Sequence, residues 1–147
     1  MFNDSLEFCK ISPSSVLMHK SLFEKYGMFD NNLEVCEDYE LWLRITSKVL
    51  IGLVDEPLLI KYGGHKGQLS KKYWGLDRFR IQALENIILK FKLNSDQKYW
   101  AIKTMLKKIK ILSNGAKKRK NYKLVLFLEK KEKNWSKELI YNAKTTI

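Results

Sequence analysis

Cysteine is scarce in this chain and long apolar runs are missing from it. The 147 residues hold two cysteines, Cys9 and Cys36, whose spacing matches neither a metal-ligand pair nor a disulfide framework. That excludes a small disulfide-stapled scaffold and fits a reducing cytosol, with both thiols read as small hydrophobes. No stretch approaches the roughly 20 apolar residues of a membrane span. Met1-Phe2-Asn3-Asp4-Ser5-Leu6-Glu7 has neither the basic n-region nor the apolar h-region of a signal peptide. A cytoplasmic protein, held to a membrane surface at most, is the expectation. Repeats and low-complexity tracts are missing as well.

What is present is a globular composition, 45% hydrophobic and 30% charged, over a length that suits one domain with a sizeable core. The net charge of +12 is unevenly placed. Residues 1–62 carry 6 Lys/Arg against 10 Asp/Glu, residues 63–97 carry 7 against 3, and residues 98–147 carry 15 against 3. A mildly acidic first part is thus followed by a basic appendage.

Along the chain, Ile11-Ser12-Pro13-Ser14-Ser15-Val16-Leu17-Met18 reads as a loop entering a short strand, with Pro13 ahead of that strand. Lys20 to Tyr26 reads as one or two helical turns with Ser21 as N-cap, and Gly27 sits where a helix C-cap wants a positive φ. Asp30-Asn31-Asn32 is a turn. Leu41, Trp42 and Ile45 recur at helical spacing, predicting an amphipathic helix over 38–47. Val49 to Tyr62, rich in Val, Leu and Ile, reads as a strand or strand pair bent at Asp55-Glu56-Pro57. Gly63-Gly64-His65-Lys66-Gly67 comes next as a flexible loop. Helices are then expected over 74–91, over about 97–112 after the cap Asn94-Ser95-Asp96 and before Asn114-Gly115, and over about 117–133, the last burying Tyr122, Leu124, Val125, Phe127 and Leu128. The expected fold class is α/β for residues 1–72, followed by a basic α-helical extension over 73–147.

Two places invite a chemical reading. Glu37-Asp38 opens a helix, where carboxylates complement the macrodipole and bond free N–H groups; a carboxylate in that place also suits a general base. The two roles are compatible. His65 stands among three glycines that allow close backbone approach to a phosphate, and imidazole ligates divalent ions, yet a lone loop histidine is more often solvent-exposed and idle. The basic tail, with Lys117-Lys118-Arg119-Lys120 at its centre, reads first as a solvated helix face. Anionic lipid is a second partner for it, and nucleic acid a lesser one, since Tyr99, Trp100, Tyr122 and Phe127 fall at core-like spacing rather than along a stacking platform.

Taken in order, Ile11-Ser12-Pro13-Ser14-Ser15-Val16-Leu17, Tyr26-Gly27-Met28-Phe29-Asp30, Glu37-Asp38-Tyr39-Glu40-Leu41-Trp42-Leu43-Arg44-Ile45, Glu56-Pro57-Leu58-Leu59 and Gly64-His65-Lys66-Gly67-Gln68-Leu69-Ser70 resemble the acceptor-side, C-terminal half of bacterial family 2 glycosyltransferases with the GT-A fold. The resemblance covers about residues 10–90. It implies inverting transfer from a sugar nucleotide to a glycan or lipid-linked acceptor, with Asp38 as general base beside Glu37. It makes His65 the candidate ligand for the diphosphate or for a divalent cation, Mg or Mn, and it casts Trp42 and Arg44 as packing and helix support. The family's nucleotide-binding half and its Asp-X-Asp metal motif have no counterpart here, so little or no activity is expected from this chain alone. Its expected partner is a complementary N-terminal half or a second copy. The alternative is a non-catalytic basic module that binds an acidic partner, a membrane surface or nucleic acid.

Overall fold

Asn94 sets the frame for the C-terminal half. Its side chain accepts from the Gln97 backbone N–H at 2.8 Å while Gln97 Oε1 accepts from the Asn94 N–H at 3.1 Å, a reciprocal capping box that starts a long helix. The structure, a computed structural model, describes residues 1–62, 64, 67 and 72–144, without the side chains of 142–144. In chain order the helices are α1 (Phe2–Ser5), α2 (Ser21–Tyr26), α3 (Glu37–Thr46), α4 (Asp77–Lys90), α5 (Ser95–Lys118) and α6 (Tyr122–Lys144), with a 3-10 turn at Pro13–Ser15.

The helices α5 and α6 form an antiparallel hairpin. Lys120 takes a positive φ of 56° in the turn, and the Asn121 side chain accepts from the Leu124 N–H at 3.2 Å. Ala101, Ile102, Met105, Ile109, Leu112 and Ala116 form the buried stripe of α5. Helix α4 lies against this hairpin, where Glu85 accepts from Lys131 and, at 3.0 Å, from Trp135 Nε1. The α3 helix is enclosed on every side: all residues from Tyr39 to Thr46 are buried. One face joins a core drawn from α1, α4, α5 and α6, and the other, through Leu41, Trp42 and Ile45, packs on Phe23, Tyr26 and Val49. A helix covered all round must satisfy its own polar groups. Glu40 and Arg44, one turn apart, do this by pairing at 2.8 Å, and Arg44 also donates to the carbonyls of Tyr26 and Met28.

The expected α/β character of residues 1–72 is not found. Among the described residues there is no strand and no sheet; they are helical apart from the connecting segments. Residues 11–18 hold the 3-10 turn, closed by Val16 N–H to the Pro13 carbonyl at 3.4 Å. Residues 49–62 are irregular, and within 50–62 the one backbone–backbone bond is Leu58 N–H to the Glu56 carbonyl. The physical reason is that β-rich composition describes a fit to a neighbouring strand rather than an intrinsic backbone preference; with no neighbour there is no ladder. The 72/73 boundary also crosses a shared core, since Phe2, Tyr39 and Leu43 cluster with Ile81, Leu84, Ile102 and Leu128.

Smaller differences have local causes. The α5 helix runs through Asn114-Gly115 to Lys118 because Ala116 and Leu112 still have a core to face. The α6 helix begins at Tyr122 and reaches Lys144, well past 133. Val125 and Leu128 are buried as expected, but Tyr122 and Phe127 are exposed, since they lie on the outer side of the hairpin. Ser21 is the first residue of α2, and Lys20 is its cap. Among the described residues no helix is long and apolar enough to cross a membrane.

Candidate functional site

The start of α3 is a sharp turn. Cys36 holds φ at 64°, in the left-handed region, and offers no side-chain oxygen to the helix. The free N–H groups of the first turn therefore depend on acceptors within the helix itself, and Asp38 Oδ1 accepts from the Tyr39 N–H at 2.6 Å. Its second oxygen, Oδ2, accepts from the Cys9 thiol at 3.6 Å. The thiol's single proton also faces the Ile11 carbonyl at 3.2 Å, so the half-buried carboxylate is held chiefly by the Tyr39 amide, with the thiol as a weak, shared donor.

Together with Glu37 it lines a cavity of about 200 Å³, walled also by Cys9, Cys36, Leu76 and Arg80. Arg80 reaches the cavity from the first turn of α4 and is held by Asp77 at 3.0 Å. Glu37 and Asp38 are therefore brought to one cavity, which they share with a guanidinium that the sequence does not single out. Nothing in the sequence marks Arg80: it sits 42 positions from Asp38 in an ordinary helical pattern, and only the packing of α4 on α3 brings it there. The same holds for Cys9.

Neither thiol is a nucleophile near neutral pH. Burial, reinforced by the Asp38 charge, pushes Cys9 up to about 12. Burial pushes Cys36 up to about 11 against the opposing pull of Arg80. Protonated thiols are weak nucleophiles, and the Cys9 thiol serves Asp38 as a hydrogen-bond donor instead. Behind the cavity the Tyr39 hydroxyl donates to the Leu6 carbonyl at 2.5 Å and is raised by desolvation, so it is a structural donor.

A cavity of about 200 Å³ is smaller than the roughly 300–1,000 Å³ of common small-molecule sites, so it suits one sugar-sized unit and not a whole sugar nucleotide. A divalent cation does not fit it. The donor set is wrong: Asp38 already accepts from the Tyr39 amide, and cationic Arg80 lines the same cavity. Among the described residues there is no group of three or more His, Cys, Asp or Glu able to hold a metal ion. His65, the expected diphosphate or cation ligand, lies outside the described residues. Trp42 and Arg44 are buried in α3 and pack as support.

No protein-family model, no curated protein and no solved structure matches the chain.

Proposed function

We propose that this chain is the acceptor-side piece of an inverting sugar transferase, with Asp38 as its general base. The observation that carries this reading is the seating of Asp38: a half-buried carboxylate anchored by the Tyr39 amide, on the wall of a concave site sized for one sugar unit. In the reaction the acceptor hydroxyl attacks the anomeric carbon of a sugar nucleotide from the face opposite the diphosphate. Its oxygen forms the new glycosidic bond, the diphosphate leaves with the old one, and the hydroxyl proton passes to Asp38. Glu37 shares the wall and keeps it acidic. A Mg or Mn ion that offsets charge on the leaving diphosphate belongs to a complementary donor-binding half, which these residues do not contain.

Residues 50–62 support such a partner. Leu50, Leu53, Val54, Leu58, Ile60 and Tyr62 are all at least 66% exposed, a larger apolar exposure than a soluble surface normally carries. Exposed apolar side chains fall at both odd and even positions of this irregular segment, so the partner in this reading covers it from more than one side. The site of action would be the cytoplasmic face of a membrane, in polysaccharide or glycoconjugate assembly on a glycan or lipid-linked acceptor, with the lysine-rich faces of α5 and α6 against anionic headgroups.

The test is to purify the chain as the complex it forms in its own cells and measure nucleoside diphosphate release from a panel of sugar nucleotides. Asp38→Asn should abolish release with circular dichroism and thermal unfolding unchanged. Full release by that variant refutes the assignment. A second reading, a non-catalytic basic module, is favoured by one observation: Lys103, Lys107, Lys110, Lys117, Lys118, Lys120 and Lys123 are all exposed. It predicts binding to acidic surfaces that falls steeply with salt and is indifferent to Asp38→Asn.

A further inference from the structure

A second concavity, of about 440 Å³, adjoins the Asp38 cavity and shares Leu76 and Arg80 with it. Tyr73 and Asp77 wall it on one side, and Gly115 and Arg119 near the end of α5 wall it on the other. Its surroundings are rich in cations. Arg78 and Arg119 stack on the ring of Trp74 with their guanidinium carbons 4.1 and 5.3 Å from its centre. Lys108, almost fully buried, stands 3.4 Å from the Asp77 carboxylate. Against these and Arg80 there are two carboxylates, Asp77 and Glu7. Asp77 Oδ1 is already shared by Arg80 and Lys108, and Glu7 by Lys107 and Lys108.

Donors are left over. Arg80 engages only Nη1, on Asp77, and the Arg119 guanidinium has neither a hydrogen bond nor an ion pair among the described residues. Arginine's planar fork of N–H groups matches phosphate oxygens in geometry as well as charge. Gly115 adds an independent sign. Glycine inside a helix is unfavourable, and α5 continues past it. A Cβ there would stand 3.2 Å from Arg119 Nη2 and 3.4 Å from its Nη1, so a larger residue at 115 would shift the Arg119 guanidinium from its place over the concavity by a few tenths of an ångström.

We propose that this concavity binds a phosphate group, with Arg80 and Arg119 donating to its oxygens. Because Arg80 and Leu76 also wall the Asp38 cavity, a phosphate held here places the rest of the same molecule beside the base. The substrate class is therefore a phosphate-bearing acceptor. That last assignment rests on the proposed transfer; the phosphate site itself does not.

The experiment is calorimetric titration of the full chain with inorganic pyrophosphate at low ionic strength. The expected result is saturable binding, weakened about tenfold or more in Arg119→Gln, since hydrogen bonds to charged groups are the strong ones. Lys137→Gln is the control: it lies near the other end of the hairpin, where Lys98 meets Glu138, about 25 Å away along α5, and should leave the affinity unchanged. Arg119 is exposed, so its replacement tests binding and not folding. Gly115→Ala is a second variant, expected to weaken pyrophosphate binding while leaving the helix intact. Vesicles containing phosphatidic acid separate the sources: competition with pyrophosphate assigns a lipid-borne phosphate, and no competition a water-soluble one, both keeping the site. Absence of saturable binding, or equal weakening by Lys137→Gln, overturns it. Asp38→Asn should bind pyrophosphate as wild type does, so loss of the transfer reading and loss of this site are read separately.

Discussion

Replacing Arg44 with Met is the sharpest test of how α3 is held. The guanidinium makes contacts of 2.8 to 2.9 Å with both oxygens of Glu40 and donates to the carbonyls of Tyr26 and Met28, the latter at 2.6 Å. Methionine keeps much of the volume, so the loss is chiefly electrostatic. It leaves Glu40, 3% exposed, without its cation, and breaking a buried pair in this way typically costs about 3–5 kcal/mol. Protonation limits that cost. Burial already raises Glu40 above its ordinary 4.5 against the opposing pull of Arg44, and without Arg44 the opposition disappears. A group whose folded pKa is raised favours folding fully below its unfolded value and loses that contribution as pH climbs through the folded one. Starting from 4.5, the penalty grows by about 1.4 kcal/mol per pH unit and is capped near 3.4 kcal/mol at pH 7. At pH 5 the same limit is about 0.7 kcal/mol. Urea unfolding followed by tryptophan fluorescence should therefore show Arg44→Met at least about 3 kcal/mol less stable at pH 7, equivalent to a melting shift of roughly 6–12 °C or more, with the gap smaller by about 2.7 kcal/mol at pH 5 and the part due to the Tyr26 and Met28 carbonyls unchanged. Adding Glu40→Gln to Arg44→Met should recover most of the loss at pH 7. An equal loss at both pH values, or a double variant no better than the single one, would refute the account.

Other outcomes rest on the same contacts. Tyr39→Phe removes the donor to the buried Leu6 carbonyl and should destabilise by about 1–3 kcal/mol in the same urea assay, without altering helix content by circular dichroism. Asn94→Ala breaks the capping box and should cost about 1 kcal/mol; Asn94→Asp should retain most of it. Cys9 and Cys36, held up to about 12 and about 11, should react with iodoacetamide at pH 8 far more slowly in the folded chain than in urea. Asp38→Asn lifts the charge that raises Cys9 and should speed its alkylation, while rapid labelling of the native wild type would contradict the burial argument. Gly27 has φ +84°, and a Cβ there meets Arg44 Nη1 at 3.0 Å, so Gly27→Ala should destabilise by about 1–3 kcal/mol in thermal unfolding.

Features that depend on neighbours a few positions apart are legible in the residues alone. The Asn94 cap, the positive φ of Gly27, the Asp30–Asn32 turn and the start of α3 are local events, and the structure has each where the residue chemistry placed it. The acidic pair Glu37-Asp38 was legible as a helix opening for the same reason. Only the tertiary structure decided the rest. Whether Val49 to Tyr62 becomes a strand depends on a neighbouring strand to complete its hydrogen bonds; none is present among the described residues, so an apolar segment stays irregular. The helices α4 and α5 do not act as an appendage because their stripes meet Phe2, Tyr39 and Leu43 across the chain. Enclosure of α3 turned Glu40 and Arg44 from ordinary surface charges into a buried pair, and the packing of α4 on α3 carried Arg80 to the cavity that Asp38 lines. Pairing, burial and charge convergence between distant residues are properties of packing, and no local pattern encodes them.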